Sequence, residues 1–164
     1  MVVLTNRTDA RPALLKLALY VAAGGVGLLL TTTLVGLRYI PNDRVGIVEK
    51  LWSPAGPIAE GRMIVVDREA GFQAAVLRGG FYFFYWLWQF RIHKLPLTVV
   101  SQGKIGYVFA RDGQPLEPQQ TLARLVSCNH FQDVQAFFAN GGQRGPQRAI
   151  LREGTYAFNL AQFV

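Results

Sequence analysis

The stretch LALYVAAGGVGLLLTTTLVGL, residues 17–37, carries no charged side chain and constrains the chain more than any other feature. Its 21 residues, as a helix, rise about 31 Å, matching a hydrocarbon core of about 30 Å. The segment is predicted to be a transmembrane helix, with Leu17, Leu19, Val21, Val26, Leu28, Leu29, Leu30, Leu34 and Leu37 as its anchor residues. A cleaved signal peptide is the competing reading. The run exceeds the usual apolar region of about 7–15 residues, and TTTLVGLRYIPND offers no convincing small-x-small cleavage site. Lys16, Arg38 and Tyr39 stand at its ends, where snorkelling cations and interfacial aromatics are favoured. Orientation stays open, because Arg7, Arg11 and Lys16 on one side balance Arg38, Arg44 and Lys50 on the other. Ala23 and Gly27, four apart, form a small-residue pair of low specificity for helix contacts.

The chain thus divides into a short basic tail (1–16), the membrane helix (17–38) and a domain (39–164). Pro41 in RYIPND stops the helix. RVGIVEKLW (44–52), RMIVVD (62–67) and FQAAVLR (72–78) are predicted strands, separated by the Pro- and Gly-marked loop SPAGPIAEG and the turn REAG. LTVVSQGKIGYVFA (97–110) is strand material with a glycine-marked kink, and RDGQPLEPQ turns the chain at Asp112-Gly113. TLARLVS (121–127) is expected to return as a strand. FQDVQAFFANGG (131–142) is expected to form an amphipathic helix, with Phe131, Val134, Phe137 and Phe138 on one face and Gly141 at its C-cap. PQRAILRE (146–153) is predicted to be a second short helix beginning at Pro146, and TYAFNLAQFV alternates as a strand would. An apolar strand at the last residue leaves an unprotected edge, so this is expected to be the N-terminal part of a longer protein. The fold class is α+β: a membrane helix followed by an antiparallel sheet with short amphipathic helices.

RGGFYFFYWLWQFRIHK (78–94) raises a separate question, since eight of the ten residues Phe81–Phe90 are aromatic. Ten residues are too few to span a bilayer. As a strand they divide into Phe81, Phe83, Tyr85, Leu87 and Gln89 on one face and Tyr82, Phe84, Trp86, Trp88 and Phe90 on the other. Both faces are apolar and need cover. A protein core supplies one, and the bilayer interface, where Trp and Tyr are favoured, or a neighbouring subunit supplies the other. Full burial within the domain is the alternative. Phe81, Tyr82, Phe84, Trp86, Trp88 and Phe90 are therefore the candidate interface or subunit-contact residues.

The formal charge of +7 admits nucleic acid, anionic headgroups or an acidic protein as partner. Arg91 and Lys94 flank the aromatic run instead of alternating with it, which argues against a base-stacking platform, and no nucleic-acid partner is expected. Arg144, Arg148 and Arg152 recur every fourth residue. On a helix they would form one stripe, either a solvated face or a contact for headgroups or an acidic partner.

Catalytic patterns are sparse. His93 and His130 are the only histidines, and no H-x-x-x-H, C-x-x-C or G-x-S-x-G pattern occurs. Cys128, the single cysteine, excludes an internal disulfide and is read as a buried thiol. A Cys128/His130 dyad lacks the support a nucleophile–base pair needs. No enzyme activity, metal or cofactor is expected.

IPNDRVGIVEKLW, EAGFQAAVLRGGFYFFYWLWQFRIHKLPL, QGKIGYVFARDGQPL and FQDVQAFFANGGQRGPQRAILREGTYAFNLAQFV, in this order, resemble the bacterial flotillin-like branch of the SPFH (band 7, prohibitin homology) superfamily. The resemblance spans about Tyr39 to Val164. Gly71, Gln73 and LRGGFYF stand for the broader signature, with Gly79 where proline is usual and Tyr82 where histidine is usual, so the chain resembles a divergent member. The resemblance implies a partial SPFH domain truncated at its C-terminal end, and a non-enzymatic scaffold in the bacterial inner membrane with its soluble part on the cytoplasmic face. It further implies the lipid bilayer and membrane-protein clients as partners, microdomain organisation, and homo-oligomers assembled through a missing C-terminal coiled coil. A regulator of a membrane protease is the alternative the superfamily offers. A membrane-tethered enzyme or a nucleic-acid binder is more remote.

Overall fold

The computed structural model describes residues 10–164; residues 1–9 of the expected basic tail, Arg7 among them, lie outside the described residues. Helix α1 (Ala10–Val35) is continuous and apolar all round, and Pro12–Val35 is long and apolar enough to cross a membrane, with mean hydropathy 2.0 and no burial against the rest of the protein. A helix with no polar face and no protein cover is what a lipid environment selects. Its three threonines add no unpaired group: Thr31 Oγ1 donates to the Gly27 carbonyl, Thr32 Oγ1 to Leu29, and Thr33 Oγ1 to Leu29 and Leu30.

The helix ends earlier than the 37–38 boundary expected from hydropathy, so Leu37 lies beyond it. Gly36 adopts φ +65°, and the amides of Gly36 and Leu37 bond back to the carbonyls of Thr33 and Thr32 (both 3.2 Å). This paired closure with glycine in the left-handed region is the Schellman motif.

Beyond it lie β1 (Arg38–Ile40), β2 (Arg44–Lys50), β3 (Ile64–Val65), β4 (Gly71–Leu77), β5 (Gly80–Tyr82), β6 (Phe90–Pro96), β7 (Thr98–Val100), β8 (Gly106–Ala110), α2 (Val134–Ala139), β9 (Gly145–Leu151) and β10 (Gly154–Tyr156). They form a four-stranded sheet of order β3-β4-β2-β6 and three two-stranded sheets, β1-β5, β7-β10 and β8-β9. All pairings are antiparallel except β3-β4. The expected α+β layout therefore holds in outline, with several short sheets in place of one.

Several expected elements are replaced. Phe81–Phe90 is not one strand: β5 stops at Tyr82, a loop follows, and Phe90 opens β6, which pairs with β2 along its whole length. Residues 146–153 are not a helix. Pairing with β8 captures residues up to Leu151 in β9, where the inward positions Gln147 and Leu151 are buried. Residues 121–127 form no strand beyond a single bridge from Ala123 to Gln147. The expected helix over 131–142 shortens to α2, because Phe131 sits at φ +62° and Asp133 is the N-cap, its carboxylate accepting from the Ala136 amide. Gly141 at φ +72° follows the helix as expected, closing a second Schellman motif with Gly142. The final ten residues form β10 and then a turn on Asn159 that brings Phe163 alongside Ala110.

Two cores result. The larger gathers Phe131, Val134, Phe137, Phe158 and Phe163 against Val108 and Leu151. Buried polar side chains inside it serve the backbone: Asn159 Nδ2 donates to the carbonyls of Gln73 and Ala74, and the Asp112 carboxylate accepts from the amides of Met63, Ile64 and Gly113. The smaller core, Ile40, Val48 and Leu77 with Tyr82, Tyr85, Phe90 and Ile92, lies directly beneath the aromatic segment.

Candidate membrane-interface site

The aromatic loop closes the end of α1. A helix leaves its last four carbonyls without partners, and near a bilayer core each unpaired one costs several kcal/mol. The Schellman closure satisfies Thr32 and Thr33. The loop supplies the rest: Phe84 N–H donates to the Val35 carbonyl at 2.8 Å, Tyr85 N–H to Gly36 at 3.0 Å, and the Trp86 indole N–H to Leu34. Every carbonyl from Thr32 to Gly36 is thereby bonded. Phe84 reaches this position at φ +67°, a strained conformation for a bulky residue and held by its neighbours. Contact is close enough that a Cβ on Gly36 would stand 2.7 Å from the Tyr85 nitrogen.

Around this joint the rings sort by depth, and the alternating two-face partition ends at Phe83. Tyr82, Tyr85 and Phe90 pack downward on the smaller core, with Tyr85 edge-on to both Tyr82 (6.2 Å) and Phe90 (5.2 Å). Burial raises the Tyr85 phenol above its ordinary pKa, and the Tyr82 phenol beside it adds to the effect. Phe81, Phe83, Phe84, Leu87 and Trp88 are all more than half exposed, Phe84 at 67%. Trp86 is half-buried and stacks on Trp88 at 6.1 Å, and Trp52 joins Trp88 at 6.3 Å. The chain's three tryptophans therefore form one cluster at the helix exit. Tyr39 extends the collar on β1, its ring 4.9 Å from Phe81 across the β1-β5 pair.

An exposed apolar collar of this extent around the exit of a membrane-length helix is what an interfacial belt of Trp and Tyr looks like. Trp52 is the member that sequence reasoning missed. Its usable signal was its place soon after the long apolar run, as a large aromatic close to the helix exit.

Arg91 and Lys94 lie on β6 next to the collar and, with Arg38, line a groove there. Arg144, Arg148 and Arg152 belong to a different region. Arg148 lies at an outward position of β9, near exposed Tyr107, Phe109 and Ile150 of the β8-β9 pair, and Arg144 and Arg152 flank the strand, both exposed. The structure thus does not gather the three arginines into one cluster, and it assigns them to another sheet than Arg91 and Lys94.

Cys128 is buried, and its thiol points at the Val126 carbonyl (3.7 Å) with no hydrogen bond to exposed His130. Desolvation raises its pKa, the nearby Asp133 charge adds to this, and the Phe131 backbone opposes it. Those shifts work against a nucleophile. Among the described residues, no group of three or more His, Cys, Asp or Glu is placed to hold a metal ion.

No family model, no curated protein and no solved structure matches the chain.

Proposed function

We propose that the chain is a single-pass scaffold of the flotillin-like, SPFH kind. It seats its α+β domain on the bilayer, organises the surrounding membrane into microdomains and gathers membrane-protein clients in large homo-oligomers. Its place is the bacterial inner membrane, with the domain on the cytoplasmic face.

The observation that carries this proposal is the closure of α1 by residues 84–86, which joins helix and domain without a flexible linker. A linker would let a domain tumble above the bilayer. A joint bonded at consecutive carbonyls holds the domain against the end of the helix, which supports a reading in which the collar sits at headgroup level when α1 spans the bilayer. Fixed tilt is a requirement for neighbouring copies to meet in one register, and it is not needed by an enzyme that is merely tethered.

The test uses the intrinsic tryptophans of the full chain reconstituted in phosphatidylcholine vesicles. Bromine atoms at graded acyl-chain depths should quench emission most when placed nearest the headgroups. Unquenched emission at every depth refutes the seating. Energy transfer between two labelled populations of the chain should exceed that of a random distribution, and a random value removes the scaffold part.

A further inference from the structure

We infer that the groove bordered by Arg38, Arg91 and Lys94 binds the phosphate headgroup of an anionic phospholipid; this rests on the membrane-seated reading above. The groove measures about 350 Å³ and carries two chemistries. Three cations, Arg38, Arg91 and Lys94, line it together with the apolar side chains of Leu51, Leu87, Phe90 and Ile92. A phosphate next to a glycerol backbone and the start of acyl chains presents the complementary pair of surfaces, whereas a free anion would leave the apolar side chains idle.

Position selects the lipid over an acidic protein. Arg38 stands only three residues past the last residue of α1, within roughly 10 Å of chain. Leu87 belongs to the same turn as the helix-capping residues, and the Leu51 amide bonds to the Gln89 carbonyl at 2.8 Å, fixing the groove to that turn. The opening therefore lies at the level where headgroups sit if α1 spans the bilayer. Strand β6 is an edge of its sheet, so the groove is not covered by another strand.

Charge is available there. Arg38 and Lys94 make no ion pair among the described residues. Arg91 lies 3.7 Å from a Glu49 carboxylate oxygen that is hydrogen-bonded to His93 at 2.8 Å, so Glu49 offsets part of the Arg91 charge. Each cation near a membrane surface favours an anionic headgroup by about 1 kcal/mol, or about fivefold. Arg38 and Lys94 together would give about thirtyfold if additive, and about fivefold, the effect of a single cation, is the lower bound to expect.

The test exploits the tryptophan cluster beside the groove. The full chain is placed in phosphatidylcholine vesicles containing rising fractions of either chain-brominated phosphatidylglycerol or chain-brominated phosphatidylcholine, and tryptophan quenching is compared at low salt. The phosphatidylglycerol series should quench with at least about fivefold apparent enrichment. Arg38→Gln with Lys94→Gln, or 0.5 M salt, should bring the two series together. Glu49→Gln should increase the enrichment, a gain that misfolding does not mimic. Superimposed series in the unaltered protein overturn the lipid site, as does enrichment that survives the double substitution. Quenching by neither lipid overturns the membrane-seated reading as well, so the two failures are distinguishable.

Discussion

The indole N–H of Trp86 donates to the main-chain carbonyl of Leu34, joining the aromatic loop to the last turn of a helix more than fifty residues earlier in the chain. Helix and domain are therefore coupled by side-chain chemistry as well as by chain connectivity. Trp86→Phe keeps most of the ring and removes the donor. Losing one such bond and leaving the Leu34 carbonyl unpaired should cost roughly 1–2 kcal/mol, lowering Tm in detergent by about 3–6 °C. Trp88→Phe, at an exposed ring without a hydrogen bond among the described residues, should leave Tm within about 1 °C. Equal shifts from the two substitutions would show that ring packing, not the indole bond, couples the elements.

Gly36 is the second fastener. Alanine there meets a left-handed backbone at φ +65° and a Cβ contact of 2.7 Å with the Tyr85 nitrogen. The conformation alone costs roughly 1–2 kcal/mol, and the contact forces the loop away. Gly36→Ala should accelerate tryptic cleavage at Arg38 at least tenfold, because cleavage follows the opened population when opening is fast. Gly27→Ala, with nothing within 4 Å of its added carbon, is the matched control and should leave cleavage unchanged.

These two positions also mark where the sequence became hard to read. The long apolar helix is legible because a charge-free run of its length has few other structures open to it, and β2 is legible from its alternating, β-branched segment. The aromatic loop is not, because its amides bond to helix carbonyls that no local pattern announces. Once Phe84 and Tyr85 turn toward α1, the strand expected through Phe90 ends, and β6 starts where polar and apolar residues give no clean alternation. Arg144, Arg148 and Arg152 mislead for another reason: their spacing of four fits a helix face, but pairing with β8 decided the outcome, and only Arg148 falls within the strand that results. The collar residues were identifiable by type, but the inward turn of Tyr82, Tyr85 and Phe90 depends on the core formed by Ile40, Val48 and Leu77.

Asp112 ties β3 to the segment after β8. Its carboxylate accepts from Met63 N–H (2.8 Å), Ile64 N–H (3.0 Å) and Gly113 N–H (2.7 Å), and the residue is buried. Asp112→Ala strands these donors and should destabilise the domain by about 3–5 kcal/mol, a loss reserved for broken buried networks. Asp112→Asn retains one acceptor oxygen for the Met63 and Ile64 amides but turns an NH₂ toward Gly113, so a cost of about 1–2 kcal/mol is expected. Thermal unfolding in detergent should rank wild type above Asn above Ala. An Ala variant as stable as the Asn variant would mean that the carboxylate is not the tie.

Cys128 supplies a pH test. Desolvation holds the folded thiol's pKa above its ordinary value, with Asp133 contributing in the same direction. At pH values above the ordinary thiol pKa of about 8.5, the unfolded chain releases this proton while the folded one retains it. The folded state then binds more protons, so stability falls as pH rises through this window. The contribution is fully present below the ordinary value and lost through the raised folded one. Cys128→Ala deletes the titrating group while other ionisations cancel in the comparison. The Tm advantage of the wild type over Cys128→Ala should be constant between about pH 6 and 7.5 and shrink steadily above about pH 8.5. Alkylation by iodoacetamide at pH 8 should likewise be at least tenfold slower in the folded protein than after unfolding, as expected for a buried, protonated thiol. A Tm difference that grows with alkalinity would require a thiolate stabilised by the fold, and would return Cys128 to consideration as a reactive group.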